Sequence, residues 1–178
     1  MASSETTTER IDLLREARRQ WEKHWGEEPA PSMAAVTTLM RAQQIVMSHL
    51  NLLLAPFDLT FARYEALMLL YFTREGSLPL GKIGERLQVH PTSVTSLIDR
   101  LERDGYVERT PHPSDRRTTL ATLTVAGRNV AGQATQVLNA DRFGMDALST
   151  ESHEELILLL DRIRETGGDE VAGDLRPD

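Results

Sequence analysis

Thr92, Ser93, Thr95 and Ser96 stand together at the start of one helical stretch, and Arg100 follows them. Side chains this short and polar can approach base edges in a DNA groove. His90 and Pro91 come just before. They suit an N-cap and a first helical position, where proline's missing N–H costs nothing. Further along, Pro111 and Pro113 lead into Asp115-Arg116-Arg117, with Arg109 upstream. Guanidinium groups on a turn suit phosphate or a minor groove.

The flanking pattern says what positions them. Ile83 and Leu87 lie four apart, on one face of a helix expected over Leu80 to Leu87. Gln88-Val89 is a turn. The next helix has Val94, Leu97, Ile98 and Leu101 at i, i+3, i+4 and i+7, a single apolar stripe. Asp104-Gly105 ends it, with Gly105 free to take the left-handed conformation. Tyr106 to Thr110 alternates as a strand, and Leu120 to Leu123 can pair back antiparallel. The sum is a helix-turn-helix followed by a two-stranded wing. A plain helical hairpin and β-hairpin would use the same elements. The order, the Pro-led second helix and the basic tip favour DNA contact instead. A wing that binds protein needs no such basic pair, which sets the alternative of a winged-helix protein-interaction module in second place.

Several stretches resemble the MarR (multiple antibiotic resistance regulator) family of winged-helix repressors. They are Leu87-Gln88-Val89 into Pro91-Thr92-Ser93-Val94-Thr95, Asp99-Arg100-Leu101-Glu102 into Gly105-Tyr106-Val107, and Pro113-Ser114-Asp115-Arg116-Arg117. Leu123-Thr124 with Gly127-Arg128, and Leu59-Thr60 with Arg63-Tyr64-Glu65-Ala66-Leu67, extend the similarity from about residue 36 to 164. His90 stands where the family more often has Ser, and His112 where an Asp often precedes the wing proline. The resemblance implies a mainly α fold with a small β-hairpin wing, in which a DNA-reading lobe joins a helical dimerisation lobe. It implies a homodimer on double-stranded DNA with an inverted-repeat operator. It also implies a small effector, frequently aromatic or anionic, held between the lobes. The expected DNA set is His90, Pro91, Thr92, Ser93, Thr95, Ser96, Arg100, Arg109, Asp115, Arg116 and Arg117. By helix position, Trp21, Met40, Gln44, Tyr64 and Met68 are candidates to line the effector crevice.

Composition narrows the classes. The 178 residues have no cysteine, so disulfides, thiolate metal sites and thiol redox sensing are excluded. No pair of the five histidines is spaced as metal ligands, and neither a phosphate loop nor a nucleophile elbow appears. Neither an enzyme nor a cofactor is expected. No apolar run is long enough for a membrane span, and a cytoplasmic protein is expected. The net charge of −7 argues against nucleic acid until it is divided. Residues 60–128 carry ten basic and eight acidic side chains, and the remainder ten and nineteen. The basic excess falls on the DNA-reading stretch.

Around that stretch the chain divides into residues 1–31 (a disordered start, then an amphipathic helix over 9–25), 32–58, 59–123, 124–165 and a disordered tail at 166–178. Ile11, Leu14, Arg18, Trp21 and Trp25 form one stripe on the first helix, and both tryptophans are expected to anchor it. Ser32 is expected to cap the helix that continues from Met33 to Leu54. That helix is apolar around much of its circumference, as one needing partners on several sides would be. His49 within it is expected to be a satisfied histidine. Thr60, Thr124 and Ser149 are expected to cap three further helices, to Phe72, to about Asn139 and over 151–164, and 73–79 to form a loop.

Overall fold

The computed structural model describes residues 12–115 and 117–169. Among these residues seven α-helices follow in order: α1 Leu13–Trp25, α2 Ala30–Leu54, α3 Phe61–Phe72, α4 Leu80–Leu87, α5 Pro91–Arg103, α6 Val125–Ala140 and α7 Thr150–Thr166. Three short strands, β1 Ser77–Pro79, β2 Val107–Pro111 and β3 Thr119–Leu123, form one antiparallel sheet in the order β1-β3-β2. Local chemistry sets most boundaries. The Thr60 hydroxyl accepts from the Arg63 N–H, Thr124 from Gly127 and Ser149 from Ser152, so these three expected N-caps are in place. Gly105 follows α5 with φ 75°, and Gln88 takes a left-handed φ of 54° in the turn before it.

Several expectations need correction. The wing belongs to a three-stranded sheet, because Ser77 to Pro79 pairs with Leu120 to Thr122. Three residues are too few to show alternation, and Pro79, which cannot donate, ends the strand. Ser32 caps nothing: α2 begins at Ala30 after Pro29, and the fully buried Ala30 fixes the earlier start. The first helix begins at Leu13, with Asp12 accepting from the N–H groups of Leu14 and Arg15; residues 1–11, including Ile11, lie outside the described residues. Of its two tryptophans only Trp21, 39% exposed on a helix that packs on α2, fits the expected anchor, and Trp25 at 71% does not. Of the expected tail, Gly167 to Asp169 are ordered, and 170–178 lie outside the described residues.

The core lies under the helix-turn-helix. Leu54, Leu67, Leu70, Ile83, Ile98, Leu101 and Leu138 are fully buried there. Full burial of one such side chain is worth roughly 1.5–3 kcal/mol. By contrast α7 has no buried residue, and neither has α1. His49 is satisfied within the chain: its Nε2 lies 2.8 Å from Asp141 Oδ2. That carboxylate also accepts from the Gly144 N–H at 2.7 Å, closing the bend after α6.

α6 reaches the wing through one close approach. A Cβ on Gly127 would lie 2.0 Å from the Tyr106 carbonyl oxygen and 2.8 Å from Leu123 Cδ1. Gly132, on the same helix, has open space. Gly127→Ala should therefore destabilise the fold by about 2–3 kcal/mol through overpacking. Gly132→Ala should be neutral or stabilise by up to about 1 kcal/mol through helix propensity. Urea denaturation of the two variants checks the pair, and equal midpoints would show that the Tyr106 approach does not constrain α6.

Candidate nucleic-acid interface

α5 is seated by Val94, Ile98 and Leu101, all buried. At 3.6 residues per turn that seating points Thr92, Ser93, Ser96 and Arg100 the opposite way. These four are exposed and line one shallow groove with Thr60, Ala62 and Arg63 of the α3 start. Ala62 thus faces this groove and not the core. His90 caps α5, its Nδ1 accepting from the Thr92 N–H at 3.3 Å, with Pro91 at the first helical position. The ring is committed to the helix start. Thr95 lies to the other side, and its hydroxyl donates to the Pro91 carbonyl at 3.2 Å.

Arg109 occupies a different place from the one expected. Its Nη2 lies 2.6 Å from Asp99 Oδ1 and its Nη1 2.5 Å from Glu102 Oε2. Nη2 also donates to the Thr95 carbonyl at 3.3 Å, and the Arg109 N–H to Glu102 Oε1 at 3.1 Å. The side chain ties β2 to three successive turns of α5 and is spent on protein. Asp115, at the exposed tip, is likewise engaged by its own turn. Its carboxylate accepts from the Thr118 hydroxyl at 2.6 Å and the Arg117 N–H at 3.0 Å. Those two hydrogen bonds, the Thr118 one first, hold its pKa below the ordinary value although the group is exposed. Arg117 projects from the shaped tip and is exposed. Arg116 lies outside the described residues.

Arg63 is the residue that periodicity did not single out. It spans to the end of α5, Nη1 to Asp104 Oδ2 at 2.8 Å, while its Nε is buried without a partner. The contact joins residues 41 apart, and no local pattern announces it.

The expected effector set does not converge within one chain. Tyr64 and Met68 line a crevice of about 550 Å³ between α3, α4 and α6. Phe72, Arg86, Leu87 and Phe143 complete its walls, with Glu65, whose pKa is raised by burial. The Tyr64 hydroxyl reaches Thr135 at 3.0 Å. Gln44 sits elsewhere, beside Arg41 and His49. Met40 is half exposed on α2, and Trp21 lies on α1; neither lines the crevice. Periodicity indicates helix faces but not the distances between helices. Among the described residues no cluster of His, Cys, Asp or Glu is placed to hold a metal ion.

Two helices joined by a tight turn, a second helix with an exposed polar face, and a strand pair tied to it define a winged helix-turn-helix protein. The MarR family profile matches residues 59–119. Sco5413, a MarR family transcriptional regulator from Streptomyces coelicolor, is 50% identical, with a TM-score of 0.73 over 79% of this chain and 97% of that one. AbsC, another such regulator from the same organism, is 26% identical, with a TM-score of 0.65 over 75% and 92%. MhqR, an HTH-type transcriptional regulator of Bacillus subtilis, is 31% identical over 96 residues, 54% of this chain and 65% of MhqR. The chain thus spans less than two thirds of that curated relative's length. This chain belongs to the MarR family, whose members are transcriptional regulators and not enzymes. No single helix among its described residues is long and apolar enough to cross a membrane.

The Arg109 tie is testable on its own. Arg109→Ala strands two carboxylates and frees β2 from α5. Arg109 is 22% exposed, but its partners Asp99 and Glu102 are 53% and 40% exposed, so solvent screening lowers what the ion pairs contribute. The variant should lose about 1–2 kcal/mol in urea denaturation, with faster amide exchange over Val107 to Pro111. Unchanged exchange there would show that the wing is held by its strand pairing alone.

Proposed function

We propose that this chain is a homodimeric, sequence-specific transcriptional regulator, a repressor that a small molecule releases from an inverted-repeat operator. The observation that carries the proposal is the exposed face of Thr92, Ser93, Ser96 and Arg100 beside a wing with Arg117 at its tip. A MarR mutant from Escherichia coli, solved with operator DNA, shares the fold at a TM-score of 0.68 and 24% identity. On this reading the short hydroxyls meet base edges and Arg117 meets phosphate or the minor groove. Arg109 and Asp115 contribute by holding the wing in shape. The charge division favours the same face. A basic excess on residues 60–128 survives an acidic remainder because screening limits interactions beyond about 8 Å at physiological salt. Dimerisation rests on the apolar faces that α2 and α7 leave uncovered: Val36, Met40, Ile45 and Leu52, then Leu158 and Ile163. Two-fold symmetry then places half-sites about 10 bp apart. The protein acts where DNA lies, in the cytoplasm, without a cofactor.

The two DNA elements should fail differently when altered. Arg117→Ala should weaken specific and non-specific DNA alike and lower the salt slope by about one for each phosphate the wing no longer meets. Ser93→Ala should shift base preference by about 1 kcal/mol at one position of each half-site and spare non-specific binding. Footprinting and salt titration of both variants decide this. Proportional losses in both would reject the division of roles, and an asymmetric single half-site bound at full affinity would reject the dimer on DNA.

The crevice behind Tyr64 and Met68 offers apolar and aromatic walls with a few polar groups, the general character of a small-molecule site. A ligand there lowers DNA affinity only as far as it binds the two lobe arrangements unequally. A DNA-release screen of aromatic acids and related metabolites, with peroxide and divalent metals alongside, should find release by an organic compound and none by oxidant or metal. The opposite pattern would remove the effector from the proposal.

A further inference from the structure

His112 opens the tip of the wing, and the two nitrogens of its ring have different work. The backbone N–H of His112 donates to the Thr118 carbonyl at 3.0 Å and closes the tip. Its Nδ1 accepts from the Ser114 N–H at 3.3 Å, with the Ser114 hydroxyl at the same distance. A ring nitrogen that accepts from a backbone N–H carries no proton of its own. The ring is therefore neutral with its proton on Nε2, and Nε2–H is a donor. Among the described residues no hydrogen bond occupies it. The residue is half-buried and lines a notch of about 530 Å³ between the wing tip and the start of α4. Arg117 lines the same notch.

The charges around the notch decide what the free donor suits. Lys82 and Arg117 line it from the basic side, Glu85 and Asp115 from the acidic side. Lys82 is already paired with Glu85 at 2.8 Å. With a neutral ring these four charges cancel among the described residues, so a phosphate would meet two carboxylates and no net positive charge. What the notch offers is a neutral N–H beside one guanidinium. The minor-groove edge of A·T, in either orientation, presents acceptors alone, N3 and O2. G·C adds the N2 amino group, which would set a donor against the donor. A narrow A·T minor groove also carries the enhanced negative potential that draws arginine and histidine side chains.

We propose that His112 is a base-reading residue, its Nε2–H taking the acceptor edge of an A·T pair in the minor groove beside Arg117. The inference rests on the DNA-binding reading above and deepens it, because it gives the wing a share in sequence choice. Nδ1 shapes the tip and Nε2 reads. Arg117 supplies affinity without telling bases apart. The wing thereby selects A·T over G·C in the flanks of the operator.

The test uses the full chain and a duplex that it selects from random DNA. Each flanking A·T pair is replaced in turn by G·C or by inosine·C. Inosine lacks the amino group, so inosine·C shows the minor groove an A·T-like edge and the major groove a G·C-like one. At one position in each flank, G·C should bind about fivefold more weakly than A·T, and inosine·C should bind like A·T. His112→Asn keeps an acceptor where Nδ1 stood, in a turn that suits asparagine, and has no Nε2–H. Amide exchange at Ser114 establishes that the tip is kept. In this variant the A·T and inosine·C duplexes should weaken to the level of G·C, and the preference should vanish. Arg117→Ala should weaken all three duplexes and keep their order. Inosine·C as weak as G·C, no flanking preference at all, or a preference that survives His112→Asn would overturn the assignment and leave DNA binding standing. So would equal losses on all three duplexes in His112→Asn, the mark of a phosphate contact. If the chain selects no duplex from random DNA, the DNA-binding reading falls and this inference with it.

Discussion

Everything near the candidate interface depends on how α5 is seated. Ile98 and Leu101 are fully buried and Val94 nearly so, while every residue between His90 and Ser93 is exposed. A helix in this position has one rotational setting that buries the stripe. Rotation by one residue, about 100°, would put Thr95 and Asp99 into the core and lift aliphatic side chains into water. Burial of those aliphatic side chains therefore orients the polar face without any contact made by the polar residues themselves. The close packing of Gly84 against Val94, where an added Cβ would stand 3.1 Å from Cγ2, fixes the distance between α4 and α5 in the same way.

The wing is a second body, and its angle to α5 is set by different forces. β2 and β3 pair over five residues, and β1 covers the other edge of β3. Pairing fixes the sheet but not its tilt on the helix. Tilt is fixed at one end by Arg109 on Asp99, Glu102 and Thr95, and at the other by the contact of Gly127 with Tyr106. Arg109 also neutralises two carboxylates that would otherwise lie beside the proposed DNA-contacting face. One guanidinium thus shapes the wing and corrects the local electrostatics. A chain with net charge −7 depends on such local cancellation to approach DNA.

Which features could be read from sequence follows from their range. Caps at Thr60, His90, Thr124 and Ser149, and the left-handed end at Gly105, depend on residues within four positions, and they stand where the pattern put them. The strand Ser77 to Pro79 owes its existence to β3, more than forty residues away, and has no local signature. Arg109 had the right neighbours for a DNA contact, a strand and a basic tip. What sequence could not show was that the outer side of α5 presents Asp99 and Glu102 at guanidinium distance. The effector candidates fell short for the same reason. Tyr64 and Met68, one turn apart on α3, share a crevice, whereas Met40, Gln44 and Trp21 needed interhelical distances that no periodicity encodes.

The uneven distribution of burial bears on how the parts communicate. The fully buried side chains gather around the helix-turn-helix, while the first half of α2 and all of α7 are left largely in water. Yet the end of α7 touches the reading lobe: the Gln88 amide donates to Asp169, which also pairs with Arg164 at 2.9 Å. Gln88 is the left-handed residue of the turn between α4 and α5. A partner that settles α7 therefore acts on a segment already joined to that turn, and α2 enters the core through Leu50 and Leu54. If two copies cover these helices, as proposed, assembly and the placing of the two reading helices are one event. The spacing between those helices then belongs to the pair of chains and is set by the helices farthest in character from the DNA-reading face.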